Sequence, residues 1–152
     1  MKRVLILILL LSAMLLSSCK LFTKYEDTNG DDDYTLQSIT EEMIIKDNHY
    51  LKQLAILTTN TSDGITVLEY SADVFDGVEE LHCFNHQNVS IIVDINVEKG
   101  NARLVITDGK SIIHDFNINQ ELQSFEISND KRYYLKIAGE SAKYSLKVSY
   151  QQ

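Results

Sequence analysis

From Ile65 onward the apolar residues recur at every second position. Val89, Ile91, Val93, Ile95 and Val97 alternate with mostly polar neighbours. Ala102, Leu104 and Ile106 alternate with Arg103, Val105 and Thr107. Ile112, His114, Phe116 and Ile118 form a further inward set, and Phe125 and Ile127 lie on a short strand. Tyr133, Leu135 and Ile137 face one way, with Arg132, Tyr134 and Lys136 on the other face. Tyr144, Leu146, Val148 and Tyr150 close the series. Successive side chains of a strand point to opposite faces, so this period specifies strands with one apolar face and one wetted face. Gly100-Asn101 turns the chain, and Asp108-Gly109 is a strong hairpin signal. Six short strands joined by regular turns predict a mainly β fold over residues 65–152, an antiparallel sandwich or barrel. The chain has no proline to protect edge strands, so the lysines of the final strand are the expected protection.

Residues 34–64 read differently. Leu36, Ile39, Met43, Tyr50, Leu54 and Leu57 lie near helical spacing, with Asp47 interrupting the stripe. The spacing predicts a helix over most of 34–58, capped by Ser38, Thr40 or an upstream Asp. The stretch from Tyr50 to Thr58 also reads as a strand. Asn60-Thr61-Ser62-Asp63-Gly64 predicts a turn.

The N-terminus carries Lys2 and Arg3, an apolar run from Val4 to Leu16, and then Ser17-Ser18-Cys19. This is the layout of a secretory signal peptide. The run falls well short of the roughly 20 residues that a spanning helix needs. Leu16-Ser17-Ser18-Cys19 resembles the lipobox of bacterial lipoproteins. The resemblance implies cleavage after residue 18 and a lipid on Cys19. It places the protein at a cell membrane, on the extracytoplasmic face, in the inner or outer membrane if the cell is Gram-negative. A lipidated Cys19 leaves Cys83 alone and no internal disulfide. Cys83 is then expected to be a buried small hydrophobe.

Residues 19–33 read as an acidic tether, because Glu26 to Asp33 is dominated by acids and such runs stay solvated. Asp27, Asn29, Asp31 and Asp33 stand at every second position, partly like a calcium loop. Counting from Asp27, loop positions six and twelve hold Asp32 and Ser38, where an EF-hand needs Gly and a bidentate acid. A looser calcium site is the alternative to a solvated tether, and no other cofactor is expected. The chain has 22 acidic against 14 basic residues, a net charge of −8. That balance argues against nucleic acid as a partner, since nucleic-acid binding needs a basic footprint. It also argues against binding anionic lipid electrostatically, so attachment rests on the lipid anchor.

The segment from Val89 to Tyr150 resembles the bacterial pre-peptidase C-terminal domain. The matching residues are Ala102-Arg103-Leu104-Val105-Ile106-Thr107-Asp108-Gly109, Arg132-Tyr133-Tyr134-Leu135-Lys136-Ile137 and Tyr144-Ser145-Leu146-Lys147-Val148. The resemblance implies a jelly-roll-like β-sandwich that accompanies secreted enzymes or binds surfaces, is not itself catalytic, and binds calcium in some relatives.

Chemistry candidates are few. His82-Cys83-Phe84-Asn85-His86 has the residue types of a metal site. On a strand, however, the two histidines stand roughly 13 Å apart and Cys83 points to the opposite face. Zinc ligands must each lie about 2 Å from the metal. Asp73, Asp76, Glu79 and Glu80 are the acids available for a carboxylate pair, and they read more simply as an acidic loop. No nucleophile elbow, His-Glu-x-x-His or phosphate-cradling glycine loop is present. Tyr134, between Arg132 and Lys136 on the polar face, is the aromatic best placed for contact.

The sequence therefore predicts a mainly β protein, an antiparallel jelly-roll-like sandwich with an N-terminal helical segment. It would be lipid-anchored and would serve as a non-catalytic binding or adhesion module for an envelope protein or polysaccharide. The alternative is an accessory or structural subunit of an envelope complex, docking through the helical stripe of residues 36–57.

Overall fold

The structure is a computed structural model, and it describes residues 36–85, 88–128 and 130–151. The signal segment, Cys19, the acidic run with Asp27, Asn29, Asp31 and Asp33, and His86 lie outside the described residues. Among the described residues no helix is long and apolar enough to cross a membrane.

The fold is mainly β and antiparallel. A short helix α1 (Glu41–Lys46) precedes β1 (Tyr50–Gln53), β2 (Ile56–Ser62), β3 (Ile65–Asn85), β4 (Val89–Thr107), β5 (Ile112–Phe116), β6 (Gln123–Ile127) and β7 (Arg132–Gln151). Three strands are about twenty residues long and change partners midway. The first part of β3 pairs with β2 and with the last part of β7, while the second part pairs with β1 and with the first part of β7. β4 pairs with β7 along its length, with β6 beside its first part and β5 beside its second. One half of the sheet thus runs β2-β3-β7-β4-β6 and the other β1-β3-β7-β4-β5.

Register shifts mark the bends. They fall between Ala72 and Gly77 in β3 and between Val97 and Asn101 in β4. Extra residues of this kind bend a strand and increase its twist. Gly100 lies at the β4 bend with φ +69°, and a β-carbon there would lie 2.3 Å from the carbonyl oxygen of Ser141. Gly100-Asn101 therefore bends one strand, and does not turn the chain back between two. Gly77, with φ +106°, leaves room for the His49 carbonyl, which accepts the Val78 amide at 2.9 Å.

Alternation places one apolar face of both halves in a single core. Leu68, Tyr70, Ile91, Val93, Ile95, Leu104, Ile106, Leu135, Ile137, Tyr144, Leu146 and Val148 all belong to it. Ile112 departs from its expected inward set. A register shift between Ile106 and Thr107 places it opposite Thr107, and it packs on the other face of the sheet. That outer face carries a second cluster of Ile44, Val78, Val105 and Ala138, flanked by Leu36, Ile39 and Ile112. Ile44, the buried residue of α1, is therefore packed on the protein's own sheet.

The helix is confined to Glu41–Lys46, with Thr40 as its N-cap accepting from Met43 N. Glu41 and Glu42 in the first turn and Lys46 in the last suit the helix dipole. The rest of the predicted helix forms β1 and β2, because the free edge of β3 offers that backbone a full ladder of hydrogen bonds. The turn shortens to Asp63-Gly64, both at positive φ, as a tight hairpin needs. Asn60 to Ser62 belong to β2. The lysines of the final strand guard no edge, since β7 is central, between β3 and β4.

Candidate functional site

The predicted contact residues Arg132, Tyr134 and Lys136 share the outer face of β7 but not a role. Arg132 is exposed, and its Nε donates to Asn85 Oδ1 at 3.0 Å. Tyr134 is half-buried, opposite Cys83 on one side and Thr107 on the other, with its ring over Gly109. Lys136 is buried, and its Nζ donates to the carbonyls of Ile45 and Asp47 at 3.0 Å each. Burial pushes its pKa down, against the pull of Glu80 and Asp47. Lys136 is thus a clamp on the end of α1, not a surface contact. α1 covers this face, which the alternation pattern assigns to solvent.

The neighbouring turn is tightly held. Asp108 Oδ1 accepts from the amides of Lys110 and Ser111, and Oδ2 accepts from Lys131 Nζ at 2.7 Å. The Lys131 ammonium and the two amides hold this carboxyl well below the usual carboxylate range. Cys83 is half-buried, less enclosed than expected. Burial and the nearby Glu80 raise its thiol pKa, with Arg132 opposing, so it is a poor nucleophile near neutrality.

Asp73, Asp76, Glu79 and Glu80 lie on β3 and form no acidic loop. They diverge. Asp73 lies 3.8 Å from Lys143, Asp76 accepts the Ser141 amide at 2.6 Å, and Glu79 accepts from Lys52 at 2.6 Å. Among the described residues no group of His, Cys, Asp and Glu side chains could hold a metal ion.

Inside the core, Tyr70 donates to the Leu81 carbonyl at 2.8 Å, and Tyr150 Oη lies 3.2 Å from His82 Nε2. Burial, then the charge of Glu79, pushes the Tyr70 phenol up to about 12 and raises Tyr144 further. Burial lowers the His82 pKa.

The other half of the sheet keeps its outer face open. Register aligns Thr58, Glu69, Lys147 and Asp94 in one row across β2, β3, β7 and β4. A second row holds Ile56, Ser71, Ser145 and Asn96. Thr58 Oγ1 donates to Glu69 Oε2 at 3.3 Å, and Lys147 Nζ lies 3.5 Å from Glu69 Oε1. The two rows line a shallow depression of about 390 Å³. It presents carboxylate, ammonium, hydroxyl and amide groups together. Such a surface both donates and accepts hydrogen bonds, and it suits a ligand rich in hydroxyl or amide groups. Alternation marks Asp94, Asn96, Ser145 and Lys147 as outward-facing, but only strand register brings them into line with Ile56, Thr58, Glu69 and Ser71.

No protein-family model matches the chain, and no curated protein matches it. Among solved structures it is similar to a cupin domain from Bordetella pertussis Tohama I, at 11% identity and a TM-score of 0.37. That match covers 64% of this chain and 91% of the other. It is also similar to the capsular polysaccharide assembling protein CapF from Staphylococcus aureus, at 13% identity and a TM-score of 0.27, over 62% of this chain and 30% of that one. CapF with the inhibitor 3-isopropenyl-tropolone matches at 12% identity and a TM-score of 0.28, with the same coverage. Likenesses this distant do not establish a shared fold.

Proposed function

We propose that the chain is a lipid-anchored, non-catalytic binding module at the extracytoplasmic face of a bacterial membrane. In this reading its β domain is a jelly-roll-like sandwich, attached through Cys19 and presented on the acidic tether. Its ligand is an envelope polysaccharide or protein. The observation that carries the reading is the open row Thr58, Glu69, Lys147 and Asp94, on the sheet face that α1 leaves uncovered. A sheet face held by three through-going strands is a rigid platform, and its polar groups are placed before any ligand arrives.

The test is co-sedimentation of the protein with isolated envelope polysaccharide and matrix protein. Replacing Glu69 with Gln, Asp94 with Asn and Lys147 with Gln together removes the charges without touching the core. Binding should fall at least tenfold while Tm stays within a few degrees. A triple variant that binds like the native chain rules this face out. The anchor is tested separately: Cys19→Ser should abolish palmitate labelling.

A second reading, an accessory subunit of an envelope complex, draws on a different feature. β2 is exposed at every position, and Leu54, Ile56 and Leu57 are 79%, 62% and 60% exposed. Among the described residues β2 pairs only with β3, and an uncharged edge strand is a template for a partner's strand. Cross-linking in intact cells that captures one partner through β2, and loses it when Thr59 is replaced by Pro, would favour that reading.

A further inference from the structure

Among the described residues, Glu79 Oε2 is the buried side-chain oxygen left without a hydrogen-bond partner. Glu79 is 7% exposed, and its other oxygen accepts from Lys52 Nζ at 2.6 Å. A buried acceptor without a donor is destabilising. The ammonium of a lysine is a point donor, and here it serves one oxygen of the two.

The surroundings of that ammonium are aromatic. Lys52 Nζ lies 4.9 Å from the centre of the Tyr50 ring. Tyr50 stacks on Phe75 at 6.1 Å, and the Phe75 ring meets the edge of Tyr144 at 5.6 Å. The Glu79 carboxylate and the Tyr50 ring thus share one cation, and the chain's own lysine supplies it. A planar guanidinium fits such a site better. Its fork donates to both carboxylate oxygens at once, and its face stacks on an aromatic ring.

Lys52 is also removable. It lies on the four-residue edge strand β1, opposite Phe75, and its side chain is 28% exposed. When one cation replaces another, the buried carboxylate is never left unpaired. The net charge of −8 favours the approach of cations.

We propose that Glu79 and the Tyr50 ring, which share the Lys52 ammonium, form a binding site for a guanidinium group, which displaces that ammonium and takes both carboxylate oxygens. The group would come from a free guanidino compound or from an arginine side chain. The site lies on the inward face of β1 and β3 and is independent of the open outer row.

The test is calorimetric titration of the full-length chain with methylguanidine, and with methylammonium at matched chloride concentration. Methylguanidine should bind at least tenfold more tightly than methylammonium. Lys52→Ala removes the internal competitor and should tighten methylguanidine binding at least tenfold. Glu79→Gln should abolish it. Lys52→Arg supplies the guanidinium internally, so it should raise Tm and block binding, and this variant does not depend on Glu79→Gln remaining folded. A Gly-Arg-Gly peptide separates the sources: binding comparable to methylguanidine assigns the site to an arginine side chain, and binding of methylguanidine alone assigns it to a free compound. The proposal is overturned if Lys52→Ala binds methylguanidine no more tightly than the native chain, or if Lys52→Arg leaves Tm and binding unchanged.

Discussion

Lys136 donates from Nζ to the carbonyl oxygen of Ile45 at 3.0 Å, across 91 residues of sequence. The same nitrogen serves the carbonyl of Asp47. A helix end leaves carbonyls without internal partners, and this lysine supplies their donor from the strand beneath. Lys136→Met keeps the length of the side chain and removes the donor. Stranding buried carbonyls costs about 1–3 kcal/mol, so the variant should unfold at lower denaturant with an unchanged slope. Amide exchange in α1 should speed up while exchange in β7 stays slow.

The lead-in to α1 is held from the same strand. Glu140 accepts from the amides of Gln37, Ser38 and Ile39 and from the Ser38 hydroxyl. Burial pushes its pKa up, but these hydrogen bonds outweigh it and bring the pKa below 4.5. A carboxyl lowered in the folded state stabilises fully above its unfolded pKa and loses that contribution as pH falls through its folded one. Stability should therefore decline below about pH 4.5, and Glu140→Gln should flatten that decline. Denaturant midpoints measured from pH 6 to pH 2.5 check it. An equal slope in both proteins would exclude Glu140 as a source.

His82 also loses stability on acidification, but in a higher pH window and because burial disfavours its charged form. Burial depresses its pKa below 6.5, so the unfolded chain takes up the proton first. The cost of this group grows as pH drops below about 6.5 and levels off below the folded pKa. His82→Gln keeps a polar group near Tyr150 and should remove the loss of stability across that window. Thermal melts at pH 7.5, 6.5 and 5.5 report it. Retention of the full loss in the variant would place its origin elsewhere.

Gly100→Ala should be among the most damaging small substitutions. The residue sits at φ +69°, where an L side chain costs about 1–2 kcal/mol by itself. The new methyl would also lie 2.3 Å and 2.6 Å from the carbonyl oxygens of Ser141 and Glu140. Tm should fall well beyond the few degrees of an exposed Gly→Ala change. A shift within error would mean that the β4 bend relaxes freely.

The strands were legible because each had to bury one face. Val89 to Val97 and Tyr144 to Tyr150 alternate cleanly and lie as their pattern requires. The continuity of β4 and β7 was hidden, because a glycine that bends a strand has the same local signature as one that ends it. The extent of α1 is not legible locally, because Leu54 and Leu57 fall on a helical stripe by chance, while the edge of β3 draws Tyr50–Gln53 and Ile56–Ser62 into strands. The open row escaped notice for a related reason. Glu69, Lys147 and Asp94 are far apart in the chain, and register alone makes them neighbours. Lys136 looked like a surface residue because nothing local announces that Ile44 will pack over its strand.

β3, β4 and β7 each run through both halves of the sheet, so the halves are joined three times by continuous backbone. Both halves also bury their apolar residues in one core, so damage to any of the three strands should reach both. Among the described residues, β1, β2, β5 and β6 are each paired along one side only. These four are where the chain can be remodelled, shortened or extended while the frame stays as it is.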